Sequence, residues 1–383
     1  MLTEKLYEKD AYQRSFTATV LSCTPLKDGF AVVLDRSAFY PEGGGQPGDS
    51  GLLGGVTVTD TRVVDGVQTH FCTGALPEGA AVTGEIDWAR RFDRMQQHSG
   101  EHIVSGLICA AYQCNNVGFH MGAETVVIDF DAPIPLSGLA EIELAANRVI
   151  WANTPFVVSY PDPETLAGLD YRSKKALEGE VRIVECPGAD RCACCGTHVR
   201  AAGELGLIRL LSLKPFRSGV RIEMLAGRRA YEWTAAVCAQ NGRVSVLLSA
   251  KPGETAAAVE RMQRELAETQ YRMVGLENRL FAEKAAALAG RGDVLLFEEV
   301  MRPDALRRYC EAVGSASGGR CAVFAGGDAV GWKYALRLPD GEERAFVGAM
   351  NAALGGRGGG KDGFAQGSVS AARAEIEAYF AAL

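Results

Sequence analysis

The sequence contains no apolar run long enough to cross a membrane, and residues 1–16 contain no apolar core of the kind found in secretory signals. We therefore expect a soluble, cytoplasmic protein with no membrane partner. The formal net charge of −7 argues against a nonspecific polyanion binder, although local basic patches could still bind nucleic acid. Hydrophobic residues make up 47% of the 383 residues, which excludes a globally disordered chain.

Histidine is scarce, with five residues in the chain, whereas cysteine occurs eleven times. Cysteines in a chain of this size do not indicate an extracellular disulfide framework, and in a reducing compartment clustered cysteines point to metal binding or catalysis. Histidines and cysteines with the spacing of metal ligands are therefore the first candidates for a functional site.

Three of the five histidines fall into two short motifs, HSGEH at 98–102 and CCGTH at 194–198. The i, i+4 spacing of His98 and His102 places both imidazoles on one face of a helix, and Cys194 and His198 add a thiolate and a third imidazole. This set suits one zinc ion. HSGEH lacks the HExxH order of a metalloprotease, which argues against a protease. One alternative is a local structural zinc knot built from Cys186, Cys192, Cys194, Cys195 and His198. The clustered cysteines also leave open whether Cys192 or Cys195 replaces Cys194 as the ligand.

Two glycine-rich segments are candidates for ligand binding. In FYPEGGGQPGD, residues 39–49, three glycines let backbone amides approach a ligand, and Gln46 offers a donor and an acceptor; a turn-rich hairpin is the alternative. GGRGGGKD, residues 355–362, fits G-x-x-x-x-G-K but places Asp362 where a nucleotide-binding loop needs Ser or Thr, so we reject an ATPase. We expect instead a flexible basic loop that cradles phosphates, with a disordered connector as the alternative.

Hydrophobic patterning predicts an α+β protein rather than a doubly wound sheet. The predicted domains are a glycine-rich small β-barrel at 1–87, a mixed α/β zinc-containing domain at 88–249, a helical connector at 250–290 and a small α/β domain at 291–383. The predicted barrel strands are Phe16–Val20, Phe30–Leu34 and Val56–Val63. The predicted helices that follow are Asp93–Tyr112, Ser137–Trp151 and Glu164–Leu177.

The connector carries apolar residues at alternating spacings of three and four, from Val259 to Leu280. This short heptad pattern is typical of a long, coiled-coil-like helix that packs on a partner helix. An ordinary amphipathic helix lying on its own domain fits equally well. If the first interpretation holds, the connector or the C-terminal domain is where a homodimer would form.

FYPEGGGQPGDSG, HSGEH and CCGTHV, in this order, resemble the editing domain of alanyl-tRNA synthetases and, more closely, the free-standing AlaX-type alanyl-tRNA editing proteins. The tail GGRGGGKDGFAQG resembles the C-terminal domain that those synthetases share with DHH-type phosphoesterases. The resemblance spans essentially the whole chain and implies a hydrolase that deacylates tRNA(Ala) mischarged with serine or glycine. The first 36 residues leave no room for an aminoacylation domain before the editing motifs, so we expect editing without aminoacylation.

The resemblance also implies roles for individual residues. The implied ligands of one zinc ion per chain are His98, His102, Cys194 and His198. The implied catalytic residues are Gln46, His98, His102 and Cys194. The implied substrate contacts are Ser37, Gly44, Gly45, Gln46 and Asp49. The implied tRNA contacts are Arg357, Lys361 and Gln366. Ser37 stands where relatives often carry threonine.

The chemistry of editing suits a polar pocket. Alanine is smaller than serine, so size cannot exclude it, but buried polar groups left unpaired by alanine can reject it by a factor of ~10⁴. Whether zinc activates water, positions the substrate or is structural stays open, because four protein ligands complete a tetrahedron. Two rival functions are a nucleic-acid phosphoesterase and a noncatalytic tRNA-binding protein with structural zinc.

Overall fold

The computed structural model describes residues 3–173, 179–339 and 342–383. The chain forms two compact units, Met1–Asn241 and Gly242–Leu383. Helices and mostly antiparallel sheets are mixed in each, which confirms the α+β class. The division into four domains stays a prediction. Within the described ranges, no helix combines the length and apolar character needed to span a bilayer.

The first unit begins with a barrel. Its elements are β1 (Glu4–Lys5), α1 (Leu6–Lys9), β2 (Ser15–Leu26), β3 (Gly29–Leu34), β4 (Arg36–Ser37), β5 (Gly51–Leu53), β6 (Val56–Val64), β7 (Val67–Cys72) and β8 (Ala81–Ile86). Six strands close the barrel in the order β2-β3-β7-β6-β5-β8. Alternate residues of β2 and β8 face the core, as the period of two in a strand requires. Gly84 is needed there, since a Cβ at this position would lie 2.4 Å from the ring of Phe16.

A second sheet follows the barrel within the same unit. The elements after the barrel are α2 (Trp88–Tyr112), β9 (Asn116–Met121), β10 (Val126–Phe130), α3 (Leu136–Trp151), β11 (Val157–Ser159), α4 (Pro163–Ala167), β12 (Ile183–Cys186), β13 (Asp190–Ala193), β14 (Ile208–Phe216), β15 (Gly219–Ala226) and α5 (Gly227–Leu247), of which α5 continues past the end of the unit at Asn241. The sheet order is β14-β15-β10-β9, and β11-β12-β13 form a smaller sheet. Buried residues of α2 and α3 pack with those of the four-stranded sheet in one hydrophobic core.

The predicted helix Glu164–Leu177 is wrong over most of its described length. Helix α4 starts with Asp162 as its N-cap and ends at Ala167, where Gly168 forms the C-cap. Arg172 then pairs with Cys192 in a β-bridge, so the chain has left the helix by that point. The end of the predicted helix, 174–177, lies outside the described residues.

The second unit contains a five-stranded sheet with helices. Its elements are α6 (Thr255–Ala286), β16 (Gly292–Glu298), α7 (Pro303–Ser317), β17 (Gly318–Gly327), β18 (Gly331–Arg337), α8 (Glu343–Ala353), β19 (Arg357–Lys361), β20 (Phe364–Val369) and α9 (Arg373–Ala381). The sheet order is β16-β17-β18-β20-β19. The parallel pair β16 and β17 is connected through α7, and the other pairs are antiparallel.

The glycine-rich tail is not the loop that we predicted. Residues 357–361 form the edge strand β19, which pairs with β20. The glycines permit close packing: a Cβ on Gly358 would lie 2.3 Å from the hydroxyl of Tyr334, and one on Gly360 would lie 2.1 Å from the carbonyl oxygen of Phe364. The segment is therefore ordered by backbone pairing, and both the flexible-loop and the disordered-connector interpretations are wrong.

Helix α6 confirms a long helix in the connector. Its heptad positions are largely exposed within the chain; the exposed apolar side chains are Met262, Leu266, Met273, Leu276 and Leu280. Phe281 and Ala285, close to the end of the helix, are buried and pack against residues of α7. The heptad face therefore does not rest on the described part of its own unit in the way that an ordinary amphipathic helix would.

Candidate metal centre

Helix α2 carries the first two candidate ligands. The helix begins because the Asp87 side chain accepts a hydrogen bond from the backbone N–H of Arg90, and it ends at Gln113 in the left-handed conformation. Its middle lies against β15, where a Cβ on Gly100 would be 2.6 Å from the Cβ of Ala226. The opposite face of the helix carries His98 and His102, which are both buried and share that face as their spacing predicts.

The turn after β13 brings the other two candidates to this helix. We call the resulting set the ligand cluster: His98, His102, Cys194 and His198. One ligand atom from each lies within 4.8 Å of all the others. Sγ of Cys194 is 3.5 Å from Nε2 of His98 and 3.4 Å from Nε2 of His198. Zinc bonds of about 2.3 Å to sulfur and 2.0–2.1 Å to nitrogen, at tetrahedral angles, place sulfur and nitrogen about 3.5 Å apart. The donor set therefore fits zinc.

Each imidazole is held through the nitrogen that the cluster does not need. Nδ1 of His98 lies 2.8 Å from Oε1 of Gln46. Nδ1 of His102 lies 2.9 Å from a carboxylate oxygen of Asp190. Nδ1 of His198 lies 3.1 Å from the hydroxyl of Ser99. These contacts leave Nε2 of every ring for a metal, which is the usual arrangement around ligand histidines.

The pKa shifts of Cys194 and His198 favour the forms of these two side chains that bind metal. Burial raises the pKa of the Cys194 thiol, but the charges of His98, His102 and His198 outweigh burial and hold this pKa well below its usual range. Burial, followed by the charges of the other two imidazoles, lowers the pKa of His198 to about 3. A thiolate sulfur and a neutral imidazole are the forms that bind metal.

The alternative zinc knot is not the arrangement that the structure describes. Cys195 is exposed and Cys186 is buried, and among the described residues neither belongs to a group of potential ligands. A second group joins His102 to Asp190 and Cys192. Asp190 of that group contacts Nδ1 of His102, so the second group shares His102 with the ligand cluster.

The glycine-rich loop lies beside the ligand cluster. Reciprocal backbone hydrogen bonds between Gly43 and Gln46 close a tight turn, with Gly44 and Gly45 exposed at its tip with positive φ. A Cβ on Gly45 would lie 2.5 Å from the ring of Phe119, which itself stacks on His98. Gln46 is fully buried, and besides His98 it contacts both the hydroxyl and the backbone N–H of Thr197.

Two of the predicted substrate contacts lie behind this loop. The fully buried Ser37 hydroxyl is 2.7 Å from Nε2 of His70, and it accepts a hydrogen bond from the N–H of Phe39. The Asp49 carboxylate forms a buried ion pair with Arg91 of α2. Ser37 therefore connects the loop to the barrel core, and Asp49 connects it to the helix that carries His98.

The predicted tRNA contacts belong to the second unit. Arg357 and Lys361 are exposed on β19, while the amide of Gln366 donates to the carbonyl of Pro303. Lys361 and Gln366 also line a surface groove of about 550 Å³ together with Arg307 and Arg337. Two cations that the sequence did not indicate thus join the predicted contacts.

Sequence reasoning missed the residues that hold the ligands. Ser99 and Thr197 stand inside the two ligand motifs, so a search for polar neighbours of the histidines could have found them. Arg182 donates to the carbonyls of Cys194 and Gly196, and Asp190 binds His102. Neither has a sequence signal, because a lone arginine and a lone aspartate are common on any strand.

Comparison with known proteins places the chain among tRNA synthetase-related proteins. Residues 13–90 match the family described as tRNA synthetases class II (A). Residues 181–223, which include Cys194 and His198, match the threonyl and alanyl tRNA synthetase second additional domain.

Individual relatives narrow this class. Alanyl-tRNA editing protein Aarsd1-A of Xenopus laevis is 28% identical over 97% of this chain and 95% of the relative. Aarsd1 of Mus musculus is 31% identical over 67% of each chain. AlaX-L of Pyrococcus horikoshii is 34% identical over 60% of this chain and 59% of the relative. The chain belongs to the family of alanyl-tRNA editing proteins.

Proposed function

We propose that this chain is a zinc-dependent hydrolase that cleaves the ester between serine and wrongly charged tRNA(Ala), and with lower efficiency the glycine ester. Family membership supports the reaction class. The observation that carries the proposal is the ligand cluster itself, in which three locked imidazoles and one thiolate meet beside an exposed glycine turn. Hydrolysis splits the ester with water into free serine and tRNA with an intact 3′ hydroxyl.

The ligand cluster would hold one zinc ion, which when bound supplies a Lewis acid for an oxygen or nitrogen of the substrate. The chain's own residues fix the geometry. Cys194 supplies the single anionic ligand, and Arg182 binds the carbonyl on each side of Cys195 to hold the turn. Phe119 and Phe156 stack on His98 and His198 and exclude water from those faces of the rings.

The glycine turn would contact the ester end of the substrate. Without side chains, Gly44 and Gly45 can bring backbone amides close to a carbonyl oxygen, where such donors stabilise developing negative charge. Gln46 would act as a positioning residue, because its amide is buried between His98 and Thr197. We propose the same indirect role for Ser37 and Asp49, which hold the loop from the barrel and from α2.

Rejection of alanine would follow from polar groups that the serine hydroxyl pairs and that alanine leaves unpaired. Thr197 is a candidate, since its hydroxyl accepts a hydrogen bond from Gln46 and sits one residue from His198. Glycine also lacks the hydroxyl, which is why we propose lower efficiency with the glycine ester.

The second unit would supply affinity for the tRNA backbone. Arg357, Lys361, Arg307 and Arg337 offer cations along β19 and the neighbouring groove, and phosphate contacts of this kind position a nucleic acid without reading its sequence. We further propose that the exposed heptad face of α6 pairs with a second copy of the chain, because five large apolar side chains there are uncovered.

A deacylation assay tests the proposed function. Purified chain is incubated with Ser-, Gly- and Ala-tRNA(Ala), each with and without a chelator, and released amino acid and tRNA integrity are both measured. We expect loss of serine first, intact alanine ester, and chelator sensitivity that added zinc reverses. Binding without release would support a noncatalytic factor, and cleavage of the RNA backbone would support a phosphoesterase; either result would overturn the proposal.

A further inference from the structure

A carboxylate and a guanidinium lie behind His102. One carboxylate oxygen of Asp190 is 2.9 Å from Nδ1 of His102. The same carboxylate binds the guanidinium of Arg172 through two hydrogen bonds, of 2.6 and 2.9 Å. The Asp190 side chain is 1% exposed, so this is a buried chain of contacts from arginine to carboxylate to imidazole.

The backbone fixes this chain of contacts in place. Asp190 opens β13, the strand that leads directly to Cys194, so one strand carries both the partner of His102 and the thiolate ligand. One turn after His102, Gly106 allows close approach, since a Cβ there would lie 2.6 Å from the Cβ of Asp190. The backbone N–H of Arg172 donates to the carbonyl of Arg191, and the carbonyl of Arg172 accepts from the N–H of Ala193, so two hydrogen bonds hold Arg172 to β13.

The three partners of the imidazoles differ in charge. Gln46 and Ser99 offer neutral groups to His98 and His198, whereas Asp190 offers a carboxylate to His102. A charged acceptor forms the stronger hydrogen bond and makes the ring a stronger electron donor to a metal. Arg172 donates a hydrogen bond to each oxygen of this carboxylate and neutralises its charge, which allows the carboxylate to remain buried.

We propose that Asp190, held by Arg172, is a positioning residue that turns Nε2 of His102 toward the metal and makes it the most firmly bound imidazole ligand. This inference rests on the proposed zinc centre and adds a residue pair to it. Cys192 lies close to Asp190 and His102, so the competing possibility is that these three residues hold a second metal ion of their own.

Metal affinity of the full-length chain, measured by competition with a chromophoric zinc chelator, tests this role separately from catalysis. We expect Asp190→Ala to weaken zinc binding by about 10- to 100-fold, as loss of such a partner typically does. Asp190→Asn keeps one acceptor oxygen and should lose less zinc affinity than Asp190→Ala. The zinc affinity of Arg172→Met should lie between those of Asp190→Asn and the native chain. Cobalt in place of zinc should show an altered absorption spectrum in Asp190→Ala.

Asp129→Asn is the matched control, because Asp129 forms an equivalent two-bond pair with Arg221 in the same unit but contacts no candidate ligand. It should bind zinc as the native chain does. Unchanged affinity in all three variants of the Asp190–Arg172 pair, equal loss in the control, or two zinc ions per native chain would each overturn the inference. A chain that binds one zinc with this pattern yet leaves Ser-tRNA(Ala) intact would overturn the proposed function and leave the inference standing.

Discussion

Oε1 of Gln46 lies 2.8 Å from Nδ1 of His98, although 52 positions separate the two residues in the chain. The same amide binds Thr197, so one buried side chain connects the glycine loop, helix α2 and the turn that carries Cys194. The loop therefore has a structural connection to the ligand cluster in addition to any contact with substrate.

Replacing Gln46 should lower the zinc affinity and the deacylation rate together. Gln46→Leu removes both the acceptor for His98 and the donor to Thr197, so we expect zinc affinity to fall by about tenfold or more and deacylation to fall with it. Gln46→Glu keeps an acceptor for His98 and should bind zinc more tightly than Gln46→Leu. Chelator competition and single-turnover deacylation measure the two effects. If Gln46→Leu binds zinc as tightly as the native chain, the contact between Gln46 and His98 does not contribute to metal binding.

Gly196→Ala should displace a ligand without unfolding the unit. A Cβ there would lie 2.1 Å from Cε1 and 2.4 Å from Nδ1 of His98, so the ring must move. We expect zinc content after dialysis to fall well below one per chain while the circular dichroism spectrum is kept. Gly168→Ala is the control, because the nearest atom to its Cβ is at 3.7 Å. Full zinc content in Gly196→Ala would contradict the close packing described.

His70 should make the stability of the first unit depend on pH. Burial lowers its pKa from 6.5 to about 4. Between these two pH values His70 is therefore protonated in the unfolded chain and neutral in the folded chain. This contribution to stability is complete above pH 6.5 and is lost as the pH falls towards 4. Between pH 7 and pH 5 it amounts to about 2 kcal/mol of unfolding free energy.

Urea unfolding of the native chain at the two pH values, compared with His70→Gln, measures this contribution. The variant should be less stable at pH 7 and should lose about 2 kcal/mol less on acidification. His120→Gln replaces an exposed histidine and serves as the control variant. Identical pH dependence in His70→Gln and the native chain would contradict the depressed pKa of His70.

Much of the ligand cluster could be predicted because its signal is local. The spacing of His98 and His102 places both on one face as soon as a helix forms. Cys194 and His198 are only four residues apart in the sequence. The support for these ligands depends on distant parts of the chain. Asp190 reaches His102 only after β13 has packed against α2, and no pattern around residue 190 reports that packing.

Glycine gave the least reliable signal. The same residue type forms an exposed turn at Gly44 and an edge strand at Gly358, because the lack of a side chain permits both unusual φ angles and close backbone approach. The sequence also did not indicate which polar residues are buried. The hydroxyl of Ser37 contacts His70 inside the barrel, and sequence alone could not distinguish that position from one at the rim of the site.

The cations of β19 should contribute to tRNA binding in a salt-dependent manner. We expect Arg357→Ala combined with Lys361→Ala to weaken tRNA affinity and to lower the slope of log affinity against log salt by about one unit for each phosphate that the variant no longer neutralises. Filter binding across a salt series measures both. Lys27→Ala removes an exposed cation from the barrel and should change neither. Equal slopes for the double variant and the native chain would show that β19 does not bind the tRNA.

X-ray absorption at the zinc edge of the metal-loaded chain tests directly whether the ligand cluster binds one zinc ion. His98, His102, Cys194 and His198 predict one zinc per chain with one sulfur at about 2.3 Å and three nitrogens at 2.0–2.1 Å. Cys194→Ser should remove the sulfur signal and leave the three nitrogens. A spectrum with two or more sulfurs per zinc, or a native chain that retains no zinc, would contradict the account.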